Sequence, residues 1–200
     1  MVRVIHFVRH CDVENLEGIV YGRLAGFQLS AVGRGQADRL GEYFAERQIT
    51  ALFSSPLLRA TQTARAIRSH HSGLMIRTSR RLQEVRTSYQ GLREKDVPAS
   101  VNMFDNPRDA SDESIADVYR RMEKFLDWLR RGSVAQVCQK GEIICVSHQA
   151  PIAILRAGLE DRPLVVTSLR GPHEPKKGSV TTLTFQASDT PAISYHDVVS

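Results

Sequence analysis

Two histidines stand at the ends of apolar runs of strand length. Val4-Ile5-His6-Phe7-Val8 leads into Arg9-His10, and Ile143-Ile144-Cys145-Val146 leads into Ser147-His148. Runs of this kind read as buried strands. A buried strand that stops at polar side chains delivers them to the edge where open α/β sheets build their sites. Between the two histidines in the chain come Arg59, just past Ser54-Ser55-Pro56, and Glu84, just past the stretch 74–78. A neutral imidazole is a good nucleophile when its other N–H is held by a carbonyl or carboxylate. Arginine offers a planar fork of donors to an anion, and a carboxyl group can give and take a proton. Four strand ends thus offer Arg9, His10, Arg59, Glu84 and His148, a set suited to nucleophilic attack on an anionic substrate.

The elements that must carry these groups alternate along the chain. After the first strand, residues 11–29 hold Asn15, Gly18, Gly22 and Gly26 and read as a functional loop. Ser30 is placed to cap a helix whose Ala37, Leu40, Gly41 and Phe44 fall on one face. A second strand covers 49–55. Pro56 then opens a helix to about residue 70, since a proline in the first turn lacks only an N–H that the helix does not use. This puts Arg59 at a helix N-terminus. A short strand is expected at 74–78. The stretch 85–111, with Gly91, Pro98 and Pro107 and no sustained period, reads as a partly helical excursion near the site. From Ser111 or Asp112 a helix carries the apolar stripe Ile115, Val118, Met122, Phe125, Leu126 and Leu129, with Gly132 as its C-cap. A core strand at 142–147, a helix over about 150–159, a polar loop with Gly171, Pro172, Pro175 and Gly178, and strands at 180–185 and 193–198 complete the chain. Strands alternating with helices, without repeat or linker, specify one α/β domain over 1–200 with a mainly parallel sheet.

The totals agree. A chain of 200 residues with 42% hydrophobic and 24% charged residues can bury an ordinary core. Its longest apolar runs fall far short of the roughly 20 residues a membrane helix needs, and no basic leader or cleavage site precedes the first strand. Cys11, Cys138 and Cys145 are odd in number and lack metal spacing, which suits a reducing compartment. A soluble, cytoplasmic protein with no metal or cofactor is expected, and no membrane partner. Net charge is +5 and the pI is near 9.4. The arginines are scattered along helices without interleaved aromatics, so no nucleic-acid partner is expected. A homodimer is compatible with the sequence, although no residue marks it.

Taken in order, Arg9-His10, Leu29-Ser30-x-x-Gly33-x-x-x-Ala37, Ser54-Ser55-Pro56-Leu57-x-Arg59-Ala60-x-Gln62-Thr63-Ala64, Leu82-x-Glu84 and Val146-Ser147-His148 make the chain resemble the histidine phosphatase superfamily, the phosphoglycerate-mutase-like enzymes. The likeness spans about residues 2–160. It implies a three-layer α/β/α sandwich and a covalent phosphohistidine on His10, with Arg9, Arg59 and His148 around the phosphoryl group. In that role a protonated His148 would add a third cation. Glu84 would protonate the leaving alcohol and later activate water; flanking cations would keep it ionised, while burial and an anionic substrate would raise its pKa. The same resemblance makes Asn15 a phosphate donor and places Tyr21, Gly22 and Arg23 against the rest of the substrate. Cys11 and Gln149 stand where the family has glycine. Gln149 is thereby placed at the pocket, and Cys11 reads as a small pocket-edge residue in preference to a reactive thiol. His6, His70, His71, His173 and His196 have no partners in this scheme. Arg86, Arg170, Lys176 and Lys177 read as a solvated surface.

The expected activity is hydrolysis of a small phosphomonoester, because a short chain without long insertions leaves the site open to water. The alternatives are a phosphoglycerate mutase and an inactive relative that binds phosphorylated ligands.

Overall fold

A computed structural model of the protein describes residues 4–98, 101–131, 141–186 and 190–199. Six strands form one sheet: β1 (Val4–Arg9), β2 (Ile49–Ser54), β3 (Ile76–Thr78), β4 (Glu142–Ser147), β5 (Ser179–Thr184) and β6 (Ala192–Asp197), in the order β3-β2-β4-β1-β5-β6. The four strands β3, β2, β4 and β1 run parallel to one another, and β5 is antiparallel to both of its neighbours, β1 and β6. Period-two alternation splits the core into two halves. Ile5, Phe7, Phe53, Ile143 and Cys145 face α3 (Ile115–Arg131) and α4 (Gln149–Leu159). Val8, Leu52, Ile144 and Val146 face α1 (Ala31–Ala45) and α2 (Leu58–Arg68). The architecture is a mixed α/β sandwich with helices on both faces.

Local chemistry sets the element ends. The Ser30 hydroxyl accepts the Gly33 N–H at 3.0 Å and caps α1. Glycine is required at position 33, because a Cβ there would lie 2.0 Å from the Asp12 carbonyl. The stripe expected on α3 is buried as read, but the helix begins at Ile115. Its cap is Ser114, which accepts the Asp117 N–H at 3.2 Å while Asp117 accepts the Ser114 N–H at 3.1 Å. Asp112 instead accepts the Ser88 N–H and hydroxyl at 2.6 and 2.7 Å, which ties down the preceding loop. Helix α2 starts at Leu58, so Pro56 lies before it and not in its first turn. The short strand is confined to Ile76–Thr78 because Leu74 closes a turn onto the His71 carbonyl at 3.3 Å. The glycine cap expected at Gly132 lies outside the described residues.

The excursion 85–111 carries one short 3-10 turn, Glu94–Asp96, within its described residues. Backbone bonds hold it in place: Val20 N–H donates to Leu92 O at 2.8 Å, Gly91 N–H to Val20 O at 2.9 Å and Glu94 N–H to Gly18 O at 2.7 Å. The excursion and the loop after β1 are therefore one lid-like layer over the parallel strand ends. No helix among the described residues is long and apolar enough to cross a membrane.

Candidate active site

Strand order and register bring the polar strand ends together. Arg9 is paired with Ser147 across β1 and β4, and the His10 N–H continues the ladder to the Ser147 carbonyl at 3.0 Å. On the other side of β4, the Ser55 N–H reaches the Val146 carbonyl at 2.9 Å. His10 and His148 consequently meet edge to face, 5.1 Å between ring centroids, both essentially buried. The Nδ1 of His10 lies 2.8 Å from the carbonyl of Cys11. Only a protonated nitrogen can bond a carbonyl, so the proton is assigned to Nδ1 and the Nε2 lone pair is left exposed to partners. Arg59, fully buried, donates from Nε to that Nε2 at 3.2 Å and from Nη2 to the Gly22 carbonyl at 2.7 Å. Its guanidinium lies over the Tyr21 ring at 4.6 Å. Arg9 donates from Nη1 to the Pro175 carbonyl at 2.7 Å.

His148 is aligned by Ser55, to which the sequence assigns no role at the site. Its Nε2 lies 2.8 Å from the Ser55 hydroxyl, which also accepts the Leu57 N–H at 3.4 Å. A hydroxyl that accepts on one side and donates to Nε2 leaves the His148 proton on Nδ1. Three buried donors around His10 have no hydrogen-bond partner among the described residues: Arg9 Nε, Arg59 Nη1 and His148 Nδ1. Unpaired buried donors are uncommon in folded proteins, and N–H groups gathered in this way suit the binding of an anion.

The electrostatics follow from burial and from this cluster. Burial first, then the Arg59 and Arg9 charges, hold His10 well below 6.5. Burial, Arg59 and the neighbouring His10 do the same to His148. The second histidine is therefore a neutral donor, where the sequence reading allowed a cation. Glu84 is shifted the other way: burial raises it, opposed by the Val85 N–H and by Arg59 and Arg9. Its Oε1 accepts that Val85 N–H at 2.9 Å. Cys11 is neither a reactive thiol nor a pocket-edge residue. It lies in the core against α2, burial pushes its thiol up to about 12, and its carbonyl holds His10.

A pocket of about 630 Å³ opens above His10. Arg9, His10, Asn15, Tyr21, Gly22, Glu84 and Gln149 line it, and Arg59 and His148 lie beneath its floor in contact with His10. Asn15 binds the Ile19 carbonyl and N–H at 3.0 and 3.1 Å, which shapes the loop and leaves one amide N–H over. Gly22 has φ +37° and a Cβ there would crowd Gln90. Gln149 donates to the Glu174 carboxylate, joining the start of α4 to the 171–178 loop. Arg23 is a correction: it does not line the pocket. Its Nη2 donates to Glu113 at 2.7 Å and its Nε to the Glu84 carbonyl at 2.7 Å. Arg121 binds the same two partners, so Glu113 and the two arginines form a clamp behind Glu84. Arg170 and Lys177, read as solvated, line the pocket, and Lys177 is paired with Asp12. Lys176 pairs with Asp197 away from it, and Arg86 donates to the Ser111 carbonyl. His6 has a structural task, bridging Thr182 and Glu142 at 2.8 Å each. No group of three or more His, Cys, Asp or Glu side chains among the described residues is placed to hold a metal ion.

Comparison with known proteins places this geometry. Residues 5–197 match the Histidine phosphatase superfamily (branch 1). The chain is 34% identical over 196 residues to the uncharacterized protein Rv0525 of Mycobacterium tuberculosis (strain ATCC 25618 / H37Rv), covering 90% of this chain and 89% of that one. It is similar in structure to the mycobacterial glucosyl-3-phosphoglycerate phosphatase Rv2419c, with a TM-score of 0.73, 27% identity, and 90% and 89% of the two chains covered. Bacillus stearothermophilus YhfR shares the fold at a TM-score of 0.83 with 21% identity, over 98% of this chain and 99% of its own. The chain belongs to the histidine phosphatase superfamily.

Proposed function

We propose that the protein hydrolyses a small phosphomonoester by two in-line transfers through Nε2 of His10, with Glu84 as general acid and base. The observation that carries this reading is the neutral His10, its Nδ1 proton tied to the Cys11 carbonyl, among three buried donors with no partner of their own. In the first step the Nε2 lone pair attacks phosphorus as the bond from phosphorus to the alcohol oxygen breaks. Glu84 gives its proton to that oxygen, the alcohol departs, and an N-phosphorylated imidazolium remains, its charge facing the Cys11 carbonyl. In the second step a water oxygen attacks phosphorus, Glu84 takes the water's proton, and the electron pair of the phosphorus–nitrogen bond returns to Nε2.

Arg9, Arg59 and His148 would bind the equatorial oxygens through N–H groups that are already oriented, so little reorganisation accompanies the reaction. The hydrogen bond that Arg59 Nε–H makes to His10 would shift to a phosphoryl oxygen when substrate enters, with the proton staying on Arg59. The raised pKa of Glu84 suits a group that must be protonated for the first step and ionised for the second. A phosphatase among the structural relatives at 27% identity supports hydrolysis over mutase chemistry.

The test is a panel of phosphomonoesters with wild type and His10→Ala side by side, followed by trapping of labelled protein in alkali. Phosphate release by wild type alone, with label on His10, is the expected result. Phosphate release retained by His10→Ala refutes the nucleophile, and label passing to a second monophosphate in place of inorganic phosphate identifies a mutase.

A further inference from the structure

The floor of the pocket is ionic, but its outer wall is not. Beyond Arg9, His10 and Glu84, the wall is built by Val97, Val101, Met103, Phe104, Val166 and Leu169. These come from two separate stretches, the excursion and the 3-10 turn Val166–Leu169 that follows α4. All but Leu169 remain partly exposed, and Phe104 and Val166 also pack against the core, which holds the wall in place. The charged groups on this outer part offer no surplus of positive charge for a second anion. Lys177 is committed to Asp12, and Arg170 shares the lining with the oppositely charged Glu94. Arg23, which could have met a distal carboxylate or phosphate, is held by Glu113 and turned out of the pocket. A volume of about 630 Å³ is also far more than a phosphate group fills.

We infer that the substrate is the phosphate monoester of an apolar alcohol or phenol, carrying the phosphoryl group as its only anion, with its hydrocarbon body laid between the side chains of Val97, Val101, Met103 and Phe104 and the 166–169 turn. This rests on the phosphatase reading for the placement of the phosphate at His10, but not for the selectivity of the wall. Dianion on the floor and hydrocarbon on the wall are separate contributions, so affinity grows with each apolar group that leaves water. Burial of one methylene corresponds to about a fourfold gain in binding.

The test separates binding from turnover. Calorimetric titration of the full-length protein with ethyl-, butyl- and hexylphosphonate, which cannot be hydrolysed, measures the wall directly. Affinity is expected to rise about threefold to fourfold per methylene until the wall is covered, and 3-phosphoglycerate is expected to bind more weakly than hexylphosphonate. Met103→Gln and Val166→Thr, both near-isosteric, should each flatten the chain-length series. Equal affinity across the three phosphonates, or tighter binding of 3-phosphoglycerate, overturns the inference whether or not the protein is a phosphatase. A steep series with no phosphate released from any ester would uphold the apolar wall and refute the hydrolytic reading alone.

Discussion

Replacing Arg59 with lysine keeps a positive charge beneath His10 and removes the fork, which makes it the sharpest test of how this site acts. The guanidinium has three separate duties: Nε against His10 at 3.2 Å, Nη2 against the Gly22 carbonyl at 2.7 Å, and an unpartnered Nη1. One ammonium cannot span all three. A buried carbonyl left unpaired costs about 1–3 kcal/mol, so the lysine is expected to settle on Gly22 and leave the phosphoryl group short of its donors. Loss of one preorganised donor in such a site raises the barrier by roughly 2.7–4 kcal/mol, a factor of about 10²–10³ in rate. Rapid-quench measurement of His10 phosphorylation in a single turnover should therefore show Arg59→Lys slowed by that factor, with circular dichroism confirming that it folds. Because the charge is kept, substrate affinity should fall much less than the rate. A folded Arg59→Lys protein that phosphorylates within tenfold of wild type would mean that charge alone suffices, and the argument from the fork would be wrong.

Glu84→Gln should lower turnover of alkyl phosphates by about 10²–10⁴ while sparing phosphorylation by p-nitrophenyl phosphate, whose leaving group needs no proton. Equal slowing of phosphorylation by both substrates removes Glu84 from the acid role. His10 must be neutral to attack, and its pKa lies well below 6.5, so stopped-flow phosphorylation rates should persist as pH falls below 6.5 and decline as pH rises through the raised pKa of Glu84. Stability has the opposite acid dependence. His6, His10 and His148 are all depressed, so the unfolded chain takes up protons first; their contribution is complete above 6.5 and is lost as pH falls from there toward the folded-state values. Glu84, raised above 4.5, contributes with the reverse sign, present below 4.5 and lost as pH rises through its folded value. Thermal melts followed by circular dichroism should thus show the midpoint dropping below pH 6.5, and a flat profile refutes the buried neutral histidines. Glu113→Gln loosens the clamp of Arg23 and Arg121 on the Glu84 backbone. With side chains 11–21% exposed, the loss should be about 2 kcal/mol in denaturant unfolding, below that of a fully buried pair, and kcat should fall more than KM. An unchanged kcat would make the clamp purely structural.

The strand ends were legible because their cause is local. A short, nearly continuous apolar run that stops at Arg9-His10 or Ser147-His148 reads as a buried strand with its polar end at a sheet edge, and the stripe on α3 is equally plain. What the sequence hides is pairing at a distance. The fork of Arg23 is claimed by Glu113, ninety positions away, so a residue that matched a substrate-facing position serves the backbone behind Glu84. Ser55 reads only as the end of the second strand, yet its backbone bond to Val146 of β4 brings its hydroxyl to His148. Lys177 meets Asp12 across the sheet end, and nothing in the polar loop around it signals that the loop folds back over the pocket. The excursion left no period because it is held by backbone bonds between Val20 and Leu92 and between Glu94 and Gly18, which place no demand on side-chain type.

One electrostatic arrangement contributes, alongside burial, to the neutral resting state of His10 and to the proposed binding of a phosphoryl group. Two unit charges about 4 Å apart interact by about 4 kcal/mol at the effective dielectric of roughly 20 that suits protein sites. A proton on His10 Nε2 would have to sit against the Arg59 Nε–H at 3.2 Å and near the charge of Arg9, so the field that surrounds the ring disfavours the imidazolium. The same field acts with opposite sign and twice the charge on a phosphoryl dianion. In the proposed phosphohistidine the ring would be cationic, but the dianion it carries would lie between it and the arginines, while Nδ1–H stays on the Cys11 carbonyl. In the proposed reaction the cations therefore add to burial in opposing protonation of His10 and would favour its phosphorylation, so one cluster of buried N–H groups contributes to both.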